Sequence, residues 1–259
     1  MKKTFDNLNI MVGTPVHGDL NLNYVMSLLE LQKECTFRKI PFSVNFVKSS
    51  LVTQGRQMIV SKFLESDCSH LLFIDSDISF NYTMFEKMLL ADKEIILVPY
   101  PVKGFDKNKV KTLIEKGSTL DINLLGNQYT INFKDNLNNI QIENGICELA
   151  RGPAGFMLIK KEVFKKLIEK YPDYIIKQPT LIDGKLIEYD SLYNFFDTHF
   201  RKEDNTYHGE DFWFCMLCTD IGIKIYGLID EYISHHGEYS YTGRLLDELS
   251  LTKKEEIKQ

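Results

Sequence analysis

The sequence has no apolar run near the roughly 18 residues that a membrane-spanning helix needs, so a membrane-embedded chain is not expected. Its first residues, Met1 to Asn7, are basic but lack the apolar stretch of a secretory leader. The five cysteines are an odd number without framework spacing. That excludes a disulfide scaffold and suits a reducing compartment, so the cytoplasm is the expected location. An excess of positive charge is missing too. The 31 Lys and Arg stand against 36 Asp and Glu, a formal charge of −5, and a nucleic-acid partner is not expected. There is no Gly-x-x-x-x-Gly-Lys phosphate loop and no Gly-x-Gly-x-x-Gly fingerprint. Nor is there a Gly-x-Ser-x-Gly nucleophile elbow.

What is present is 259 residues, 44% apolar and 26% charged, the balance of an ordinary globular protein. Apolar, β-rich runs alternate with helical patterns. Ile10-Met11-Val12-Gly13 reads as a strand stopped by Thr14-Pro15. Leu28, Leu31 and Cys35 share one helical face, and Pro41 ends that helix. Phe42, Val44 and Phe46 alternate as in a strand, and a helix from about Arg56 carries Ile59, Val60, Phe63 and Leu64 on one side. Leu71–Ile74 and Ile95–Val98 are short continuous apolar runs of the kind buried on both faces of a sheet. Between them Phe85, Met88 and Leu89 mark a further helix. This order predicts an α/β fold with a mixed, mainly parallel sheet flanked by helices, in a single domain.

The second half is less regular. A hairpin is expected around Gln128–Phe133 and Ile140–Leu149, a strand at Gly155–Lys160 and a helix at Glu162–Lys170. Residues 172–208 read as loop, Glu210 as a helix start, Ile223–Leu228 as a late strand and 244–259 as a helical tail. Cys215-Met216-Leu217-Cys218 lies inside a helical pattern with no second pair for zinc, so its expected role is packing.

The most informative segment is Phe73-Ile74-Asp75-Ser76-Asp77. If the chain stays extended, the two carboxylates point to one side, where ligands bind in open α/β sheets. Paired like charges are costly without a cation, and hard divalent cations take oxygen ligands. Three plainer readings stand beside this one. The first is a pair of solvated surface acids. The second is a calcium loop over Asp75, Asp77, Ser79, Asn81, Thr83 and Glu86, in which Phe80 occupies the place that demands glycine. The third is a phosphatase of haloacid-dehalogenase type with Asp75 as nucleophile, where the motif normally follows the first strand instead of the third.

An apolar strand ending in Asp75-Ser76-Asp77 after two β-α units resembles the Asp-x-Asp motif of GT-A glycosyltransferases, over Ile10 to Gly243. The resemblance implies a GT-A, Rossmann-like fold. Residues 1–104 would form a nucleotide-binding half, 105–243 an acceptor and catalytic half, and 244–259 a tail. It implies a nucleotide-sugar donor, UDP-linked by expectation, a glycan hydroxyl as acceptor, and Mn2+ or Mg2+ as cofactor. Thr14, Pro15 and Val16 would line the base and ribose, and Arg56 would lie near the nucleotide. Asp75, Asp77 and His235 would hold the metal, or Asp75 would bind ribose; Ser76 lies between the two acids, against the donor. The frame Ser234-His235-His236-Gly237 selects His235, with His236 as the fallback. Lys103, in Tyr100-Pro101-Val102-Lys103, would meet phosphate or sugar, and Gly155, in Arg151-Gly152-Pro153-Ala154-Gly155, would floor the sugar pocket. In His208-Gly209-Glu210-Asp211, Asp211 would meet the acceptor hydroxyl as general base, with Glu210 as its alternative. Each motif also has a plain reading as a tight turn, a surface side chain or a helix cap. Tyr239, Tyr241, Phe195, Phe196 and Trp213 are candidates to stack on sugar rings. A catalytically silent nucleotide-sugar-binding module is the alternative outside catalysis.

Overall fold

The computed structural model describes residues 8–119, 121–182 and 185–256. The chain opens with β1 (Ile10–Val16), α1 (Leu22–Phe37), β2 (Phe42–Lys48), α2 (Val52–Glu65) and β3 (His70–Ile74). Asn21 caps α1 by accepting from the amide of Asn23. A two-residue strand, β4 (Ile78–Ser79), precedes α3 (Tyr82–Ala91), which is capped by Asn81. Next come β5 (Ile95–Leu97), α4 (Lys107–Glu115) with its Asp106 cap, and α5 (Ile122–Leu125). Then follow β6 (Asn132–Phe133), β7 (Ile146–Arg151), β8 (Phe156–Lys160) and α6 (Lys161–Lys170). Two short hairpins, β9 (Thr180–Ile182) with β10 (Lys185–Ile187) and β11 (His199–Arg201) with β12 (Thr206–His208), lead to α7 (Glu210–Asp220). The remainder is β13 (Ile225–Leu228), β14 (Ile233–His236), β15 (Ser240–Gly243) and α8 (Leu245–Glu256).

Eight strands form one sheet in the order β2-β1-β3-β8-β5-β13-β7-β6. The pairings leave only β8 and β7 running against the other strands, so the sheet is mixed and mainly parallel, as the sequence predicts. Its centre is buried on both sides. Leu71 and Phe73, Ile95 and Leu97, and Met157 and Ile159 face the core shared with α2, α6 and α7. The intervening Leu72 and Ile74, Ile96 and Val98, and Phe156 and Leu158 face the core shared with α1 and α3. Full burial of each such side chain contributes about 1.5–3 kcal/mol, which holds the ends of β3, β5 and β8 in a fixed relation.

Several expectations need correction. α2 begins four residues before Arg56, which therefore sits one turn inside the helix and is buried. The expected hairpin exists as β6 against β7, but α4 and α5 occupy much of the preceding stretch. The segment read as loop contains β9 to β12, strands too short for a period-2 pattern to register. Phe195 and Phe196 are fully buried in the core and unavailable to a sugar. All five cysteines are buried and free, Cys215 and Cys218 among them. Among the described residues, no helix is long and apolar enough to cross a membrane.

A second, three-stranded sheet, β15-β14-β4, sets up the site. β14 pairs antiparallel with β4, placing His235 opposite Ile78 and Ser234 opposite Ser79. The amide of His236 also donates to the carbonyl of Asp77 at 2.8 Å. A strand of two residues thus fastens the end of the Asp-x-Asp segment to a histidine far along the chain.

Candidate active site

The chain does not stay extended through Asp75-Ser76-Asp77. The amide of Ile78 donates to the carbonyl of Asp75 at 3.1 Å, closing a turn directly after β3. Asp75 keeps the alternation of Leu71 and Phe73 and faces α2, whereas Asp77 is carried round to the β14 side. The two carboxylates therefore have different partners, contrary to the expectation that they share one.

Asp75 belongs to Arg56. Nη2 of Arg56 donates to Oδ1 and Oδ2 of Asp75 at 2.9 and 3.2 Å, and its Nε donates to Oε1 of Glu210 at 3.2 Å. The guanidinium lies over Phe73, 5.2 Å from the ring centre. Burial opposes the charge on Arg56, yet the Asp75 and Glu210 carboxylates keep its pKa above the usual arginine range. Burial likewise raises the Asp75 pKa against the pull of Arg56, and the Asp77 charge adds to the rise. Nη1 of Arg56 is buried without a hydrogen-bond partner among the described residues. Arg56 is thus a buried clasp between the end of β3 and the start of α7, its guanidinium engaged by two carboxylates.

Gly155 has a steric role at the same place. A β-carbon there would lie 2.3 Å from the Tyr100 hydroxyl and 2.5 Å from Oδ2 of Asp75, so only glycine lets both approach. Tyr100 is a site residue that sequence reading passed over. Burial, with the charge of Asp75 beside it, holds its phenol well above the ordinary pKa. Its ring meets that of His235 edge-on, with centroids 5.0 Å apart.

Asp77 faces His235 and Lys103. Lys103 Nζ pairs with Oδ2 of Asp77, and Nε2 of His235 lies 3.6 Å from the same oxygen. Burial would raise the Asp77 pKa, but the imidazole and ammonium beside it bring it below the usual carboxylate value. Nδ1 of His235 is 2.9 Å from the carbonyl of Pro101. A carbonyl only accepts, so Nδ1 carries a proton and Nε2 is the ring nitrogen turned toward Asp77. Two lone pairs face each other stably only with a cation between them, either a proton on Nε2 or a metal ion. The donor chemistry, one carboxylate and one imidazole locked by a backbone acceptor, suits a divalent transition metal.

His236 has no such freedom. Its Nε2 is 2.7 Å from Ser79 Oγ and its Nδ1 is 2.8 Å from Ser240 Oγ, and the side chain is buried. Among the described residues no three His, Cys, Asp or Glu side chains converge on one point. The expected triad of Asp75, Asp77 and His235 therefore reduces to Asp77 with His235.

At α7, whose N-cap Gly209 has no side chain to offer, the first turn holds Glu210 and Asp211, where the helix dipole favours acids. Glu210 is taken by Arg56. Oδ1 of Asp211 accepts from the Phe212 amide at 2.7 Å. Burial, and then the neighbouring Glu210, push the Asp211 pKa up to about 6 from 3.8, the range in which a carboxylate serves as a general base near neutral pH. Because the folded-state pKa is the higher one, Asp211 adds stability as the pH falls toward the unfolded value and loses it as the pH rises past 6. Asp211→Asn is therefore expected to raise Tm at pH 7.5 by about 2–4 °C, the equivalent of roughly 1 kcal/mol in a chain of this size. The gap should close toward pH 4.5. A pH series of thermal melts checks this, and a constant gap across the series would contradict it.

The remaining expected residues are dispersed. Thr14 is fully buried and its Oγ1 is 2.7 Å from the Tyr24 hydroxyl, so its side chain faces the core and not a ligand. Pro15 is half-buried and Val16 buried. Ser76 offers its carbonyl to the Asn21 amide at 3.0 Å, joining the turn to the start of α1. Trp213 stacks on His199 at 4.0 Å, and Tyr239 pairs edge-on with Tyr241.

No protein-family model and no curated protein matches the chain. Solved structures similar to it in outline include A197 from STIV, 18% identical, covering 89% of this chain and 86% of that one with a TM-score of 0.46. GalNAc-T7 with UDP, GalNAc and Mn2+ is 11% identical, covers 93% of this chain and 44% of its own, and has a TM-score of 0.46. A glycosyltransferase involved in glycosylation of the major capsid of PBCV-1 is 9% identical, covers 65% and 69%, and has a TM-score of 0.32.

Proposed function

We propose that the chain is a glycosyltransferase of GT-A type that moves a sugar from a nucleoside-diphosphate donor, UDP-linked by preference, to a hydroxyl of a glycan. The observation that carries this reading is the Asp77–His235 pair, held across the β4–β14 ladder with Nδ1 of the imidazole fixed by Pro101. Asp77 and His235 would hold a divalent cation, with Mn2+ preferred to Mg2+ because one ligand is an imidazole. When bound, that ion supplies positive charge to the departing diphosphate. Lys103 adds a further cation on the same side of the site.

Asp211 would take the acceptor's proton: its pKa is pushed up to about 6, and its neighbour Glu210 is occupied by Arg56. Arg56 and Asp75 position the segment and do not bind the donor directly. Residues 1–104 would supply most of the donor side, with Pro15, Val16 and Ser76 at its edge. Residues 105–243 would supply His235, Asp211 and the acceptor side. What speaks against the phosphatase alternative is that both oxygens of Asp75 accept from Arg56.

A screen of UDP- and GDP-sugars with Mn2+, read by nucleotide release, tests the reading. UDP release that needs Mn2+, stops on chelation and rises with a glycan acceptor is the expected result. Mn2+-dependent UDP binding without any release would make the chain a binding module. Release of phosphate from simple monoesters, with no nucleotide binding, would overturn the proposal.

A further inference from the structure

The segment Tyr100–Lys103, shortly after β5, makes three separate contacts on the Asp77 side of the site. The Tyr100 ring meets that of His235, the Pro101 carbonyl accepts from Nδ1 of His235, and the Lys103 ammonium sits on Asp77. The lysine stem reaches there by passing close over Gly237, where a β-carbon would lie 3.2 Å from Cδ of Lys103. Lys103 therefore occupies the oxygen, Oδ2 of Asp77, that also faces Nε2 of His235. An ammonium on that oxygen weakens its hold on a divalent cation, because the two positive charges repel at contact distance.

We infer that Lys103 is a built-in counter-ion that blocks the cation place until a diphosphate draws it away, so that the divalent ion binds with the donor and poorly before it. This inference rests on the proposed function and adds an order of binding to it. Without donor, the pair Lys103–Asp77 neutralises the carboxylate and repels a second cation. With donor, the diphosphate oxygens offer the ammonium stronger acceptors than a single carboxylate. The lysine turns to them, Asp77 is freed, and the same oxygens complete the coordination of the incoming ion. With Asp77 and Lys103 both partly exposed, the pair is held loosely enough to exchange. The outcome is reciprocal: the cation strengthens diphosphate binding by the factor by which the diphosphate strengthens cation binding.

The test is titration of Mn2+, followed by the loss of its free-ion paramagnetic resonance signal. It is run with and without UDP, corrected for Mn2+ held by UDP alone, on the wild type, Lys103→Met and Lys103→Arg. In the wild type, UDP should tighten Mn2+ binding strongly. Lys103→Met should bind Mn2+ without UDP at least fivefold more tightly than the wild type and show a smaller effect of UDP. Lys103→Arg, which keeps the charge, should restore the wild-type dependence. If Lys103→Met leaves Mn2+ affinity without UDP unchanged while the wild type still binds Mn2+ with UDP, the inference is overturned and the proposed function stands. If none of the three proteins binds Mn2+ in the presence of UDP, both are overturned.

Discussion

Asp77→Ala is expected to lower Mn2+-dependent turnover by about a thousandfold or more, roughly 4 kcal/mol of barrier. Mn2+-dependent UDP binding should vanish with it. The size follows from the site's economy. If Asp77 and His235 are the ligands, as proposed, loss of the carboxylate leaves a single imidazole, too little to hold a divalent cation against water. The Asp77 side chain is 30% exposed, and its partner Lys103 is also accessible. Its removal should therefore change Tm little, and the loss of activity cannot be assigned to unfolding. Calorimetric titration of UDP with and without Mn2+, beside nucleotide release, reads both effects. An alanine variant that keeps most of its activity would remove the cation from the mechanism. His236→Ala gives the contrasting result, because that ring bridges Ser79 and Ser240: its loss should loosen the small sheet and lower Tm before it alters cation affinity.

Arg56→Met carries the second large effect. The Arg56 side chain is 3% exposed and pairs with Asp75 and Glu210. Removing the cation leaves two carboxylates in a poorly hydrated place, a change that costs about 3–5 kcal/mol for a buried pair. Tm should fall by roughly 10 °C. The sign of its pH dependence is fixed by Asp75, whose pKa is raised even with Arg56 present. Without the arginine it rises further, so the folded variant takes up a proton that the unfolded chain releases. The loss of stability is then largest at neutral and alkaline pH and shrinks on acidification through the folded-state pKa. Melting the variant at pH 5 and pH 8 reads this directly, and an equal loss at both would mean that the carboxylates are well hydrated. Arg56→Lys should recover only part of the loss, since one ammonium cannot reach two carboxylates as a planar fork does.

The strands at the centre of the sheet were legible because they are continuous apolar runs. Leu71–Ile74 and Ile95–Val98 are buried on both faces, as their composition dictates. The position of the Asp-x-Asp segment at a strand end and the start of α7 at Glu210 were legible for the same reason: each follows an abrupt change of pattern. What escaped was decided by pairing between distant segments. Nothing local in Phe156–Lys160 says that it inserts antiparallel between β3 and β5. Nothing in Ile78–Ser79 says that two residues will ladder with His235.

The divergence of Asp75 from Asp77 depends on one turn hydrogen bond, which residue spacing alone does not specify. Arg56 was picked out by its place before the Asp-x-Asp strand, but its burial followed from where α2 begins. Tyr100 was the available signal that went unused, since it follows a buried strand at the same edge as Asp75.

The β4–β14 ladder has a consequence for the order of folding. It joins two segments that lie far apart in the sequence. Closing so long a loop costs chain entropy before any contact offsets it, so a ladder of two residues is expected to form late, after the large sheet has brought its ends together.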